Sequence, residues 1–126
     1  MQKINLIIFE PYPFNRISGN LRTQSNIFKF IDKTKFKLIF LSPFHTGFVD
    51  LLNEKNVETI VFKPSDRVNR YGGKNLNENI FYKFKTVIDL FNYNIKLYKL
   101  FKQNNIKLVY CNSIRGVLTI WLAALL

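Results

Sequence analysis

The sequence predicts an α/β protein: a parallel sheet with strand order 3-2-1-4 and helices on both faces, ending after the fourth strand and the helix behind it. Three observations predict it. Short apolar runs rich in β-branched and aromatic residues recur along the chain. Segments of helical period separate them, and the resulting order β-α-β-α-β-α-β-α requires right-handed crossovers that place helices on both faces.

The first strand is Ile4-Asn5-Leu6-Ile7-Ile8-Phe9, so apolar that it suits a central position covered on both sides. Pro11 and Pro13 end it by removing backbone donors, and Ser18-Gly19-Asn20 supplies capping chemistry where a helix opens at Asn20. That helix presents Leu21, Ile27, Phe28 and Ile31 on one broad face. Phe36–Leu41 is the second strand, closed by Ser42-Pro43; Gly47–Lys55 is a short helix that gathers Phe48, Leu51 and Leu52; Val57–Phe62 is the third strand. From Lys63 to Asn79, around Gly72-Gly73, no periodicity survives, and a long surface loop is expected. Ile80–Asn104 is the longest helical pattern, with Ile80, Phe84, Val87, Phe91, Ile95 and Tyr98 on one stripe and lysines elsewhere. Ile106–Cys111 is the fourth strand. Gly116–Leu126 then reads as a buried helix without a polar face, cut short before any C-terminal cap. The arrangement is Rossmann-like, with the first and fourth strands adjacent where the winding reverses.

A chain of 126 residues, 48% apolar, holds one domain with a real core, taken as residues 1–126. The lone Cys111 leaves no internal disulfide, and no Cys/His cluster has metal-ligand spacing. The apolar run after Met1 is too short for a secretory core. A net charge of +11 and a pI near 9.9 favour anionic partners. Lysine outnumbers arginine, which suits diffuse attraction rather than bidentate recognition.

Two loops should meet outside the carboxyl ends of the first and fourth strands: Glu10–Asn20 and Asn112–Arg115. In the first, Gly19 lets backbone N–H groups approach a phosphate at a helix N-terminus, flanked by Ser18 and Asn20, with Arg16 and Arg22 as counter-charge. In the second, Asn112 and Ser113 stand beside Arg115 to hold hydroxyls or phosphate. The plainer reading of both is helix capping. Glu10 is the one carboxylate near this crevice, so no acid/base pair is expected and no catalytic residue is assigned. Cys111 reads as a small buried hydrophobe and His45 as a solvated loop residue. The lysines of the long helix, with Phe81, Tyr82, Tyr93 and Tyr98 as interfacial rings, form either a solvated face or one that meets membrane or nucleic acid.

The run Lys3–Phe9, Pro11-Tyr12-Pro13 and then Ser18-Gly19-Asn20-Leu21-Arg22 resembles the opening of the family-four retaining glycosyltransferases of GT-B fold, a strand, a loop and a Gly-Gly-x-Glu-Arg helix start. Ile106–Cys111 followed by Asn112-Ser113 resembles that family's strand and His-x-Asn-Ser segment. Ser18 stands in place of the first glycine, Leu21 of the acidic residue and Tyr110 of the histidine. The resemblance implies the N-terminal, acceptor-side half of an enzyme that moves a sugar from a nucleotide-sugar donor to a saccharide or lipid-linked acceptor. Gly19 would lie against the donor phosphates and Arg22 would match the family arginine. The nucleotide-sugar would be a co-substrate, with no metal required. The donor-binding C-terminal domain would be missing, leaving the isolated chain inactive. The expected setting is cytoplasmic, at the inner face of an acidic membrane, with no nucleic acid bound. The rival reading is a non-catalytic flavodoxin-like domain whose basic surface holds nucleic acid or acidic membrane; a third is a helper that docks, through its apolar last helix, on a partner carrying the second domain.

Overall fold

A computed structural model describes residues 3–13, 19–70 and 77–126. The elements are β1 (Ile4–Phe9), α1 (Gly19–Phe30), β2 (Phe36–Ser42), α2 (Gly47–Glu54), β3 (Glu58–Val61), α3 (Asp66–Asn69), α4 (Ile80–Gln103), β4 (Ile106–Cys111) and α5 (Ile114–Leu125). The four strands form one parallel sheet in the order β3-β2-β1-β4. This is a Rossmann-like α/β domain.

β1 is apolar at nearly every position because both of its faces are covered. Ile7 and Phe9, with Ile39 and Leu41 of β2, face Tyr93, Leu97 and Phe101 of α4 and Ile120 and Ala123 of α5. Ile8 and Phe40 point the other way, against Leu21 and Phe28 of α1 and Phe48, Val49 and Leu52 of α2. The alternation follows from the two-residue period of a strand. Phe40 joins the second core by edge-on ring contacts with Phe28 and Phe48.

Caps explain several element ends. Asn79 Oδ1 accepts from the Tyr82 N–H at 2.8 Å to start α4, and Ser113 Oγ accepts from the Gly116 N–H at 3.0 Å to start α5. Asn56 and Asn105 follow α2 and α4 with φ of 56° and 49°, a left-handed conformation that asparagine tolerates better than most residues. Asn5 Nδ2 then donates to the Asn104 carbonyl at 2.6 Å, tying the end of α4 to the start of the central strand.

Several expectations change. α1 begins at Gly19, one residue earlier than the pattern suggested, and β3 is two residues shorter than Val57–Phe62. The stretch 63–79 contains α3, capped by Ser65 and fixed to α4 by Arg67, whose Nε donates to Asp89 at 2.8 Å. Gly72 and Gly73 lie outside the described residues. The apolar stripe of α4 does not face the sheet: Ile80, Phe84, Val87 and Phe91 are exposed, while Thr86, Tyr93, Asn94, Leu97 and Phe101 are buried. Tyr93 is therefore no interfacial ring; it stacks on Phe62 and its hydroxyl donates to the Phe62 carbonyl at 2.9 Å. Finally, α5 is buried on one side only, with Val117, Leu118, Trp121 and Leu125 exposed on the other.

Candidate functional site

The turns after β1 and β4 share one end of the sheet, because Phe9 and Cys111, the last residues of those strands, are register partners. Side chains close the gap between them. The Arg115 guanidinium sits 5.2 Å above the Tyr12 ring and donates from Nη2 to the Asn69 carbonyl, so one arginine touches the β1 turn, the α3 end and the start of α5. Gly116 packs closely on the end of the sheet: a Cβ there would lie 3.2 Å from Ser113 Oγ, a tight approach to the capping hydroxyl, and in ordinary contact with Cys111 Cβ at 3.5 Å and a Phe9 ring carbon at 3.6 Å.

Glu10 anchors the first turn. Its backbone N–H extends the sheet by donating to the Leu41 carbonyl at 3.0 Å, and its side chain, 2% exposed, turns inward. Oε1 accepts from the Tyr12 N–H at 3.1 Å and Oε2 from Gln24 Nε2 at 2.6 Å. Gln24 is completely buried, and its Oε1 has no hydrogen-bond partner among the described residues. Burial raises the Glu10 pKa, opposed by the Tyr12 and Gln24 hydrogen bonds. A carboxyl whose folded pKa is raised contributes stability below its unfolded pKa and loses it as pH rises through the folded value. Glu10→Gln is therefore expected to remove one source of falling stability as pH rises above the ordinary carboxylate range, read as a flatter urea midpoint against pH; an unchanged pH profile would refute this.

The mouth is electropositive by construction. The first turns of α1 and α5 contain no acidic residue, whereas α2 and α3, which follow β2 and β3 at the same end of the sheet, have Asp50 and Asp66 there. Two helix N-termini with uncompensated partial positive charge therefore border the turns, together with Arg115 and the exposed Arg22 in the first turn of α1. The space beside Gly19 is open, with nothing within 4 Å of where a Cβ would be, so packing within the described chain does not require glycine there.

The residues expected at this site divide as follows. Gly19, Arg22, Asn112, Ser113 and Arg115 lie on the two turns or the helix starts they feed. Asn20 is in the first turn of α1, while Arg16 and Ser18 fall outside the described residues. Ser113 spends its acceptor on the α5 cap, which is the plainer of its two readings, and the half-buried Asn112 makes no side-chain hydrogen bond among the described residues. Arg115 is fixed rather than mobile. Sequence reasoning missed Gln24 and Tyr12. Gln24 lies three residues after Leu21 and four before Phe28, so its place on the apolar face was visible even though its partner was not.

Chemically, the mouth can hold an anion. Cys111 is not poised as a nucleophile: burial first, and then the Glu10 charge, push its thiol up to about 11, so it stays protonated at neutral pH. No group of three or more His, Cys, Asp or Glu side chains placed to hold a metal ion occurs among the described residues. His45 is exposed at the other end of the β2 turn, 3.4 Å from Asp50. No known family, curated protein or solved structure matches this chain.

Proposed function

We propose that the domain is the N-terminal, acceptor-side half of a glycosyltransferase of the GT-B type, whose mouth receives the phosphates of a nucleotide-sugar beside a saccharide or lipid-linked acceptor. The observation that carries the reading is that two acid-free helix starts, at Gly19 and Ile114, follow the adjacent strands β1 and β4 where the strand order reverses, with Arg115 of α5 stacked on Tyr12 of the β1 turn. The likeness of Ser18–Arg22 and of Asn112-Ser113 to that family's motifs supports the choice of ligand. The mouth contributes positive charge and a single buried carboxylate among its described residues, so the transfer chemistry would come from a second, donor-binding domain. Alone, the chain would not turn over.

Amide NMR titration with UDP-glucose, GDP-mannose and inorganic phosphate tests this. Shifts should centre on Gly19, Asn20, Arg115 and Gly116 and be larger for the nucleotide sugars. Arg115→Ala should weaken binding roughly ten- to a hundredfold, as loss of a charge-assisted hydrogen bond does. Gly19→Val should weaken it as well while leaving the urea midpoint near wild type, because the space it enters is open. Absence of shifts, or shifts confined to the lysines of α4, would overturn the proposal. Sugar transfer by the isolated chain would overturn the claim that it is inactive. If nucleic acid binds instead through those lysines, affinity should fall linearly in log salt and ignore both substitutions.

A further inference from the structure

We infer that α4 and α5 together form a docking face for the surface of an anionic lipid bilayer. Asn94 joins the two helices: its Nδ2 donates to the Thr119 carbonyl at 2.9 Å and its Oδ1 accepts from the Ala123 N–H at 3.0 Å. Val87 and Phe91 precede Asn94 by seven and three residues, so they lie along the same side of α4, bordering the α4–α5 seam. Phe84 and Ile88 continue that side outward, and Phe81 extends it at the first turn, 76% exposed. Across the seam, the outward side of α5 carries Ile114, Leu118 and Leu125, with Trp121 at its flank, 47% exposed. Soluble surfaces scatter such residues singly; here they line the outward sides of two helices that Asn94 joins.

Charge identifies the occupant. α4 and α5 contain one carboxylate between them, Asp89, and it is held by Ser65 Oγ at 2.7 Å and Arg67 Nε at 2.8 Å. Lys85, Lys96, Lys99 and Lys102 are exposed around the apolar stripe of α4, where their stems can lie along apolar surface and their ammonium groups reach outward. A wide apolar face with aromatic rings, bordered by lysine and with no unpaired carboxylate on α4 or α5, fits acyl chains below anionic head groups. A second copy of the chain fits worse, because two surfaces of a molecule with net charge +11 would bring their lysines together. The contact is peripheral: among the described residues no helix is long and apolar enough to cross a membrane. Neither the sugar nucleotide nor turnover enters this inference, and it stands or falls separately from them.

The test is co-sedimentation of the full chain with vesicles of phosphatidylcholine alone and of phosphatidylcholine mixed with phosphatidylglycerol, at low and high salt. Trp121, the single tryptophan, reports the contact. The expected result is binding to the mixed vesicles only, weakened by salt, with Trp121 emission moving to shorter wavelength. Phe84→Glu should lower the partition coefficient roughly tenfold or more, and Lys99→Glu by about fivefold or more. Both positions are exposed, and far-UV circular dichroism checks that the variants fold. No binding to mixed vesicles, equal binding to neutral ones, or binding that leaves Trp121 emission unchanged would overturn the inference. So would sedimentation equilibrium showing a dimer that Phe84→Glu dissolves, in the absence of vesicle binding.

Discussion

Leu97→Ala is expected to lower the unfolding free energy by about 2–5 kcal/mol, measured by urea denaturation. Leu97 is fully buried between the sheet residues Ile7, Phe9, Ile39 and Leu41 and its neighbours Tyr93 and Phe101 on α4. Truncation removes its transfer free energy and leaves a cavity that the sheet, fixed by ladders on both sides of β1, cannot collapse to fill. A domain of this size is stable by about 5–15 kcal/mol, so the loss is a large fraction of the whole. On the same helix, Phe84→Ala should change stability by less than about 0.5 kcal/mol, because Phe84 is 65% exposed. A large loss at Phe84 and a small one at Leu97 would mean that α4 is rotated about its axis relative to the structure described.

Asn94→Asp should be comparably severe at neutral pH, about 3–5 kcal/mol, the range for an uncompensated buried charge. Asn94 is 1% exposed, and its Nδ2 donates to two carbonyls, those of Leu90 and Thr119, each at 2.9 Å. Its amide also pairs with both ends of one i to i−4 step of α5, the Thr119 carbonyl and the Ala123 N–H. A carboxylate in its place would aim a charged oxygen at two carbonyls that need a donor. Desolvation and those carbonyls would raise the pKa of the introduced acid, so stability should recover as pH falls through its folded value, where the protonated group can again donate. A pH-independent loss would show that shape, not charge, matters at this position.

Much of the architecture was legible because strands and helices here carry consistent local signals. β1 announces a doubly covered strand by an apolar run broken only by Asn5, and Ser113 was one of the two cap residues, with Asn112, that the chain offered for α5. α3 was not legible, since a four-residue helix is too short to show a period, and only Ser65 hinted at it. α4 misled because it has two apolar sides. Its longer stripe, through Phe84 and Phe91, stays outside, and the shorter set of Tyr93, Leu97 and Phe101 goes in with Asn94. At the mouth, the meeting of the two turns followed from strand order, but Arg115 stacking on Tyr12 and Glu10 turning inward to Gln24 did not.

By itself, then, the amino-acid order determined the succession of strands and helices and, through the handedness of crossovers, that the β1 and β4 turns open at one end of a 3-2-1-4 sheet. Only the tertiary structure decided which side of α4 is covered, which buried carboxylate holds the first turn and which arginine bridges to the second. The reason is range: periodicity records what lies within a few residues, whereas Asn94 finds Thr119 and Ala123 at separations of 25 and 29, and Glu10 finds Gln24 at 14. A helix with two apolar faces settles its rotation by such distant partners, and the face left over is the one available to another surface.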